Sequence, residues 1–276
     1  MFQPAIPLTG IGGWKFLQST YTRQLDSFTK SPQIRNDRDY MLEKFSEPVA
    51  VDDLMKDKRL LRITMTAFDL SGEEWKGGFI RKVLDEVADP ESTFLTRLNN
   101  AKYTKLAETL LPVDGRIVLS SDQLAKMAVN FEATSFEVAV GDIDENMRLS
   151  LNYQNDIVDI VGTDSSDKAI LYRILGDVPV RTVLESALNL PSDISSLDID
   201  KQAEIFQKRI TSVLGITSMS DLSSPEMVEK IILRYHAMET VNNGSTSYSP
   251  ASAALTLLSD GVGSLASQNL FLSLLT

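Results

Sequence analysis

The stretch "LMKDKRLLRITMTAFDL", Leu54–Leu70, decides the fold, because the chain repeats its pattern as "ILGDVPVRTVLESALNL", Ile174–Leu190. Apolar residues recur in each at spacings of three and four, so each reads as one amphipathic helix. At a constant offset of 120 positions Asp57 aligns with Asp177, Ile63 with Val183, Ala67 with Ala187 and Leu70 with Leu190. The apolar face and the small residue on it therefore fall in register. Beyond this the register slips by insertions while the order persists: "FIRKV" at Phe79–Val83 finds "FQKRI" at Phe206–Ile210, and Asp89-Pro90-Glu91 finds Ser224-Pro225-Glu226. The pattern predicts two related helical units, roughly 50–111 and 170–241, whose buried faces match.

Helix punctuation divides the rest. Ser31-Pro32 places a cap and a first-turn proline before a helix running to Phe45, and Pro48 ends it. Ser71 and Glu74 have the spacing of a capping box, Asp89-Pro90-Glu91 opens a helix through Leu111, and "PVDG" closes it. Ser120 and Gln123 begin a long helical stretch in which Leu124, Met127, Phe131 and Val138 share a face, with a break at Gly141-Asp142. The expected segments are an N-terminal arm and helices over 1–47, a first helical unit over 48–112, and central long helices over 113–168. A second helical unit over 169–242 follows, then a linker and amphipathic C-terminal helix over 243–276. The expected class is all-α, an irregular multi-helix array with two related units joined by the long central helices.

Composition supports this class and removes several functions. The 276 residues hold 14 Gly, 10 Pro and 7% aromatics, and Leu, Ala, Glu and Lys abound. A formal net charge of −11 repels nucleic-acid phosphate and anionic lipid, and no dense basic cluster offsets it. With no cysteine there is no disulfide, thiolate nucleophile or Cys-based metal site. The start "MFQPAIPLTGIGGWKF" has no basic region ahead of an apolar core, which argues against a cleaved secretory signal. Nowhere do about 18 to 20 uncharged apolar residues run together, so no membrane span is expected. A cytoplasmic protein, or one that leaves by a route needing no cleaved signal, fits these limits.

Residues that carry chemistry elsewhere read as structural here. "DIDEN" at Asp142–Asn146 starts like a calcium loop, but Met147 stands where the turn glycine belongs and Tyr153 where the bidentate carboxylate belongs. His236 is the only histidine; no Gly-x-Ser-x-Gly elbow accompanies it, so a Ser-His-Asp arrangement stays open but unsupported. "GIGG" at Gly10–Gly13 lacks the strand and full glycine fingerprint of a phosphate cradle. Asp156 and Asp159 share a helical face, which on an acidic protein reads as a solvated one. The expectation is no catalytic residue, no metal site and no cofactor.

Two apolar stripes point to protein partners. After the polar stretch "VNNGSTSYSPASAAL", Leu258, Val262, Leu265 and Leu272 keep heptad spacing, with Asn269 as a polar register position. Near the other end Trp14, Leu17 and Tyr21 form a comparable stripe. These seven residues are the candidate partner-binding set, in cis with one another or in trans on a second copy.

Several strings, among them "GGWKFLQST", "SPQIRNDRDYMLEKF", "LLRITMTAFDL", "SFEVAVGDIDENMRLSLNY" and "SSPEMVEKII", resemble a bacterial domain-of-unknown-function family whose members are encoded among flagellar genes. The resemblance spans about residues 12–240 and implies a helical fold and a flagellar setting, with no active-site motif. "SLASQNLFLSLL" near the end resembles the C-terminal segment of flagellins and related axial proteins. Together they lead us to expect a non-enzymatic flagellum-associated structural or assembly protein acting by helix-mediated contacts, with flagellar axial or basal-body components as partners. A cytosolic export chaperone or adaptor is the alternative, and a small-molecule enzyme without a recognisable motif is the third.

Overall fold

Each half of the duplicated motif is two helices hinged on an aspartate. In the computed structural model, which describes residues 3–98, 100–162 and 166–242, α3 (Val51–Lys56) ends and α4 (Lys58–Ala67) begins at Asp57. The Asp57 carboxylate accepts the Leu60 N–H at 2.9 Å and satisfies a donor that the first helical turn leaves orphaned. α10 (Asp167–Gly176) and α11 (Val178–Ala187) meet in the same way at Asp177, which accepts the Val180 N–H at 3.1 Å. The single helices expected over Leu54–Leu70 and Ile174–Leu190 are thus corrected to hinged pairs, because a capping aspartate competes with helix continuation.

The two motifs also end alike. Asp69 and Asn189 both take left-handed backbone, at φ 55 and φ 50. Leu70 N–H then reaches back to Met65 O and Leu190 N–H to Glu185 O, each at 2.9 Å, closing a six-residue C-terminal ring at both sites. Ile63, Ala67, Leu70, Val183 and Ala187 are buried as the shared face requires, and Leu190 is half-buried against the core.

The long central helices organise these motifs. α8 (Ser121–Gly141) opens with the expected capping box between Ser120 and Gln123, and α9 (Glu145–Val161) packs against it after a break at 142–144. α4 lies on α8, and α11 lies on α9. α1 (Gly10–Thr29) and α2 (Pro32–Lys44) also reach α8, while α13 (Pro225–Asn242) covers α11 and α1. α5 (Gly77–Val87) touches α3, and α12 (Ile199–Leu214) touches α10, so the helix order repeats in space as well as in sequence. α6 (Phe94–Leu98) and α7 (Ala101–Thr109) complete the thirteen α-helices of the described residues.

Three local expectations are corrected. Ser71 bonds to the Thr66 hydroxyl and α5 begins only at Gly77, so no capping box forms there. Asp89-Pro90-Glu91 makes a turn, whereas Ser224-Pro225-Glu226 begins α13, so these two segments are not equivalent. "PVDG" is the bend of a hairpin, with β2 (Pro112–Val113) pairing β3 (Arg116–Ile117) and β1 (Val49–Ala50) adding to β3. Left-handed Asp114 and Gly115 supply its tight turn. The class is all-α with this small sheet as its only strand structure among the described residues.

Candidate functional site

A buried cluster of charged side chains lies where the first motif ends and the second begins. Asn100 caps α7 by accepting the Tyr103 N–H at 3.1 Å, which sets Lys102 in the first turn. The left-handed turn at the end of α4 presents Asp69, α9 presents Asp156, and the cap of α11 presents Asp177. The Lys102 ammonium contacts Asp69, lies 2.9 Å from Asp156 Oδ2 and 3.5 Å from Asp177 Oδ2. Burial disfavours its charge, but Asp156, Asp69 and Asp177 outweigh this and hold its pKa above the ordinary lysine value. Asn152 Nδ2 donates to Asp69 Oδ2 at 2.9 Å and fixes that carboxylate from a second helix.

Beside this cluster is a cavity of about 350 Å³. Glu137, on the buried face of α8, lines it and accepts from Asn155 Nδ2 at 2.5 Å. Burial, with the charges of Asp69 and Asp156 adding, pushes the Glu137 pKa up to about 8. Burial likewise raises Asp156, against the pull of Lys102. Asp159 faces the cavity mouth and pairs with Lys105 at 3.0 Å in a solvated position. The reading of Asp156 and Asp159 as one solvated face therefore holds only for Asp159. Asp156 turns inward because Lys102 supplies a buried partner from a helix distant in sequence.

The remaining sequence candidates have structural roles. Ser150 Oγ lies 3.0 Å from His236 Nε2, both fully buried, and donates to the Asn146 carbonyl at 2.8 Å. Since the serine proton is spent on that carbonyl, the imidazole must donate through Nε2, and Nδ1 has no partner. A nucleophile triad needs the opposite polarity and a carboxylate on Nδ1, so this pair is no catalytic dyad. Burial also lowers the His236 pKa to about 4. In "DIDEN", Asp144 caps α9 by accepting the Asn146 and Met147 N–H groups. In "GIGG", a Cβ on Gly13 would lie 2.0 Å from the Leu8 carbonyl oxygen, so the glycine serves a close backbone approach.

The α1 stripe is also accounted for. Trp14 and Leu17 are fully buried, and Trp14 Nε1 donates to Glu229 Oε2 at 3.4 Å with the His236 ring beside it. These two residues pack inside the body and offer no open surface, which corrects the option that they bind a partner in trans. Tyr21 is half-buried, packs edge-on against Phe136 and lines the cavity. Leu258, Val262, Leu265 and Leu272 lie outside the described residues. Within the described residues no group of three or more Asp, Glu or His is placed to hold a metal ion, and no helix is long and apolar enough to cross a membrane.

Sequence reasoning missed Lys102, Glu137 and Asp69. The available signal was a lone charge on a buried helical face: Lys102 sits four residues before buried Leu106, and Glu137 three after buried Thr134.

No curated protein matches the chain. An X-ray crystal structure of protein AGR_C_984 from Agrobacterium tumefaciens is similar in fold, with a TM-score of 0.66 at 24% identity over 87% of this chain and 99% of that one. A family model described as "Protein of unknown function (DUF1217)" matches residues 67–228, from the end of α4 to the start of α13 and through every residue of the Lys102 cluster. With more than half of its length matched, the chain belongs to the DUF1217 family.

Proposed function

We propose that the protein is a non-enzymatic, flagellum-associated structural or assembly component that works through protein–protein contacts. The flagellar setting is carried by the sequence resemblance. The interaction reading is carried by an outward apolar face on the hairpin. In the β2–β3 register Pro112 faces Ile117 and Val113 faces Arg116. Side chains alternate across a strand, so buried Ile117 marks the inner face and Val113 the outer one. Val113 and Val118 are 62% and 60% exposed, Leu111 is also exposed, and Trp75 stands 79% exposed in the turn before α5. Apolar side chains grouped on a short sheet mark a contact surface better than scattered ones do.

Leu258, Val262, Leu265 and Leu272 belong to the same proposal as a helix-in-groove element for an axial or basal-body protein or a second copy. The test is motility and co-fractionation with purified flagella for wild type, Val113→Asp/Val118→Asp and Val262→Asp/Leu265→Asp, each checked for unchanged helicity. We expect the folded variants to leave the flagellar fraction and to impair swimming. Wild-type protein confined to the cytosol would favour the export-chaperone alternative, and normal swimming and fractionation by both double variants would overturn the contact reading.

A further inference from the structure

The cavity beside Lys102 has an unfilled hydrogen-bonding demand that the protein itself does not meet. Five carboxylates line it, on Asp69, Glu137, Asp156, Asp159 and Asp177, against the ammoniums of Lys102 and Lys105. Both lysines are already engaged, Lys102 by Asp69, Asp156 and Asp177 and Lys105 by Asp159. Among the described residues Glu137 keeps one oxygen without a donor, since Asn155 bonds only to Oε1. An independent observation comes from Thr134. This side chain is only 8% exposed, it lines the cavity one turn from Glu137, and its hydroxyl has no partner among the described residues, although a helical threonine can bond to the carbonyl four residues back. Both oxygens open into the cavity, and polar groups that converge on a pocket in this way are the ones that fix a ligand's orientation.

The chemistry of the missing partner follows from what the walls offer. An anion meets a surplus of carboxylates. A divalent metal has no suitable set of three ligands here, because Lys102 already occupies the point where Asp69, Asp156 and Asp177 converge. A neutral ligand leaves the excess negative charge uncompensated in a poorly solvated space. Ala67, Ala101 and Ala133 leave the room, and about 350 Å³ is near the lower end of small-molecule sites. We propose that this cavity binds a small organic cation bearing N–H donors, an amine or a guanidinium, with Glu137, which releases its proton to solvent as the cation binds, and the Thr134 hydroxyl as its acceptors. Such a cation arrives either as a free molecule or as the end of a basic side chain of a polypeptide, and both present the same donors to the same walls. The inference goes beyond the flagellar reading, and its readout is a small cation, so the two fail separately.

The test is calorimetric titration of the full chain at low salt with agmatine, with N-acetyl-arginine amide and with the neutral N-acetyl-citrulline amide. We expect Kd below about 1 mM for at least one guanidinium and no binding of the citrulline analogue. Binding of agmatine alone assigns the site to a free cation, and binding of the blocked arginine as well extends it to a side chain. Glu137→Gln and Thr134→Val, which preserve shape, should each weaken binding at least about tenfold, and Ala67→Leu should abolish it by filling the cavity, with melting curves confirming that each variant is folded. No binding of either guanidinium at about 10 mM, equal binding of the citrulline analogue, or unchanged affinity in the folded variants overturns the proposal.

Discussion

Replacing Glu137 by Gln should make the protein more stable at alkaline pH and change it little at acid pH. Gln keeps the shape and the oxygen that accepts from Asn155 Nδ2, so the substitution removes the titration and little else. In the fold, burial together with Asp69 and Asp156 raises the Glu137 pKa from 4.5 to about 8, against the opposing Asn155 hydrogen bond and Lys102 charge. The sign follows from proton counting: between these two values the folded protein holds a proton that the unfolded chain has released, so stability falls as pH rises. Below about pH 4.5 the carboxyl is neutral in both states and costs nothing; above about pH 8 the cost is complete, on the order of 4 to 5 kcal/mol at about 1.4 kcal/mol per pKa unit. Urea unfolding of wild type and Glu137→Gln at about pH 5, 7 and 9 reads this contribution. The stability gap, which includes the relief of Asp156 once its charged neighbour is gone, should widen steadily in favour of the variant. A gap that does not change with pH would refute the argument that Glu137 is buried among carboxylates.

Three further outcomes are expected. Ala187→Leu should destabilise by about 1 to 3 kcal/mol because Ala187 is fully buried and does not line this cavity, whereas Ala67→Leu should cost clearly less since its added atoms enter the open space beside Lys102; differential scanning calorimetry of the pair checks the order. Asp57→Ala should cost about 0.5 to 2 kcal/mol for the lost helix cap and the half-buried Tyr40 hydroxyl bond together, and Asp177→Ala more, because it takes a carboxylate from buried Lys102; equal denaturation midpoints would contradict the difference. His236, lowered by burial to about 4 from 6.5, costs nothing above pH 6.5 and destabilises progressively as pH falls from 6.5 to 4, so its ring proton resonances should stay at their neutral positions from about pH 8 to about pH 5; a midpoint near 6.5 would place the ring in solvent.

The sequence shows most clearly what is periodic and local. Ser120 with Gln123, the break after Gly141 and the matched faces of α4 and α11 can be read directly, since each depends on neighbours within a turn or two. The hinge at Asp57 was present as a residue type but hidden by the apolar period that continues across it. The small sheet escaped because its strands are two residues long, too short for alternation to register, and β1 lies far from β3 in the chain. The cavity escaped for a related reason. Lys102, Asp156 and Asp177 are each an ordinary polar residue on a helix, and only tertiary packing turns them into one buried charge cluster.

The two matched motifs separate what the fold requires at this site from what it does not. Asp69 and Asn189 occupy equivalent left-handed positions and close equivalent helix ends, and both residue types tolerate that backbone. Asparagine therefore suffices for the turn, and the negative charge at Asp69 is additional to it. The converse holds at the helix starts. Asp57 and Asp177 cap alike, but Asp57 spends its second oxygen on the Tyr40 hydroxyl at 2.6 Å, while Asp177 turns its own toward Lys102. Because α4 rests on α8 and α11 on the adjoining α9, the C-terminal end of one motif and the N-terminal end of the other come to the same place. Each contributes there the carboxylate that its counterpart lacks or commits elsewhere. The acidity of the cavity is thus a departure from the matched pattern, set at a location where the two motifs meet, and helix capping alone does not account for it.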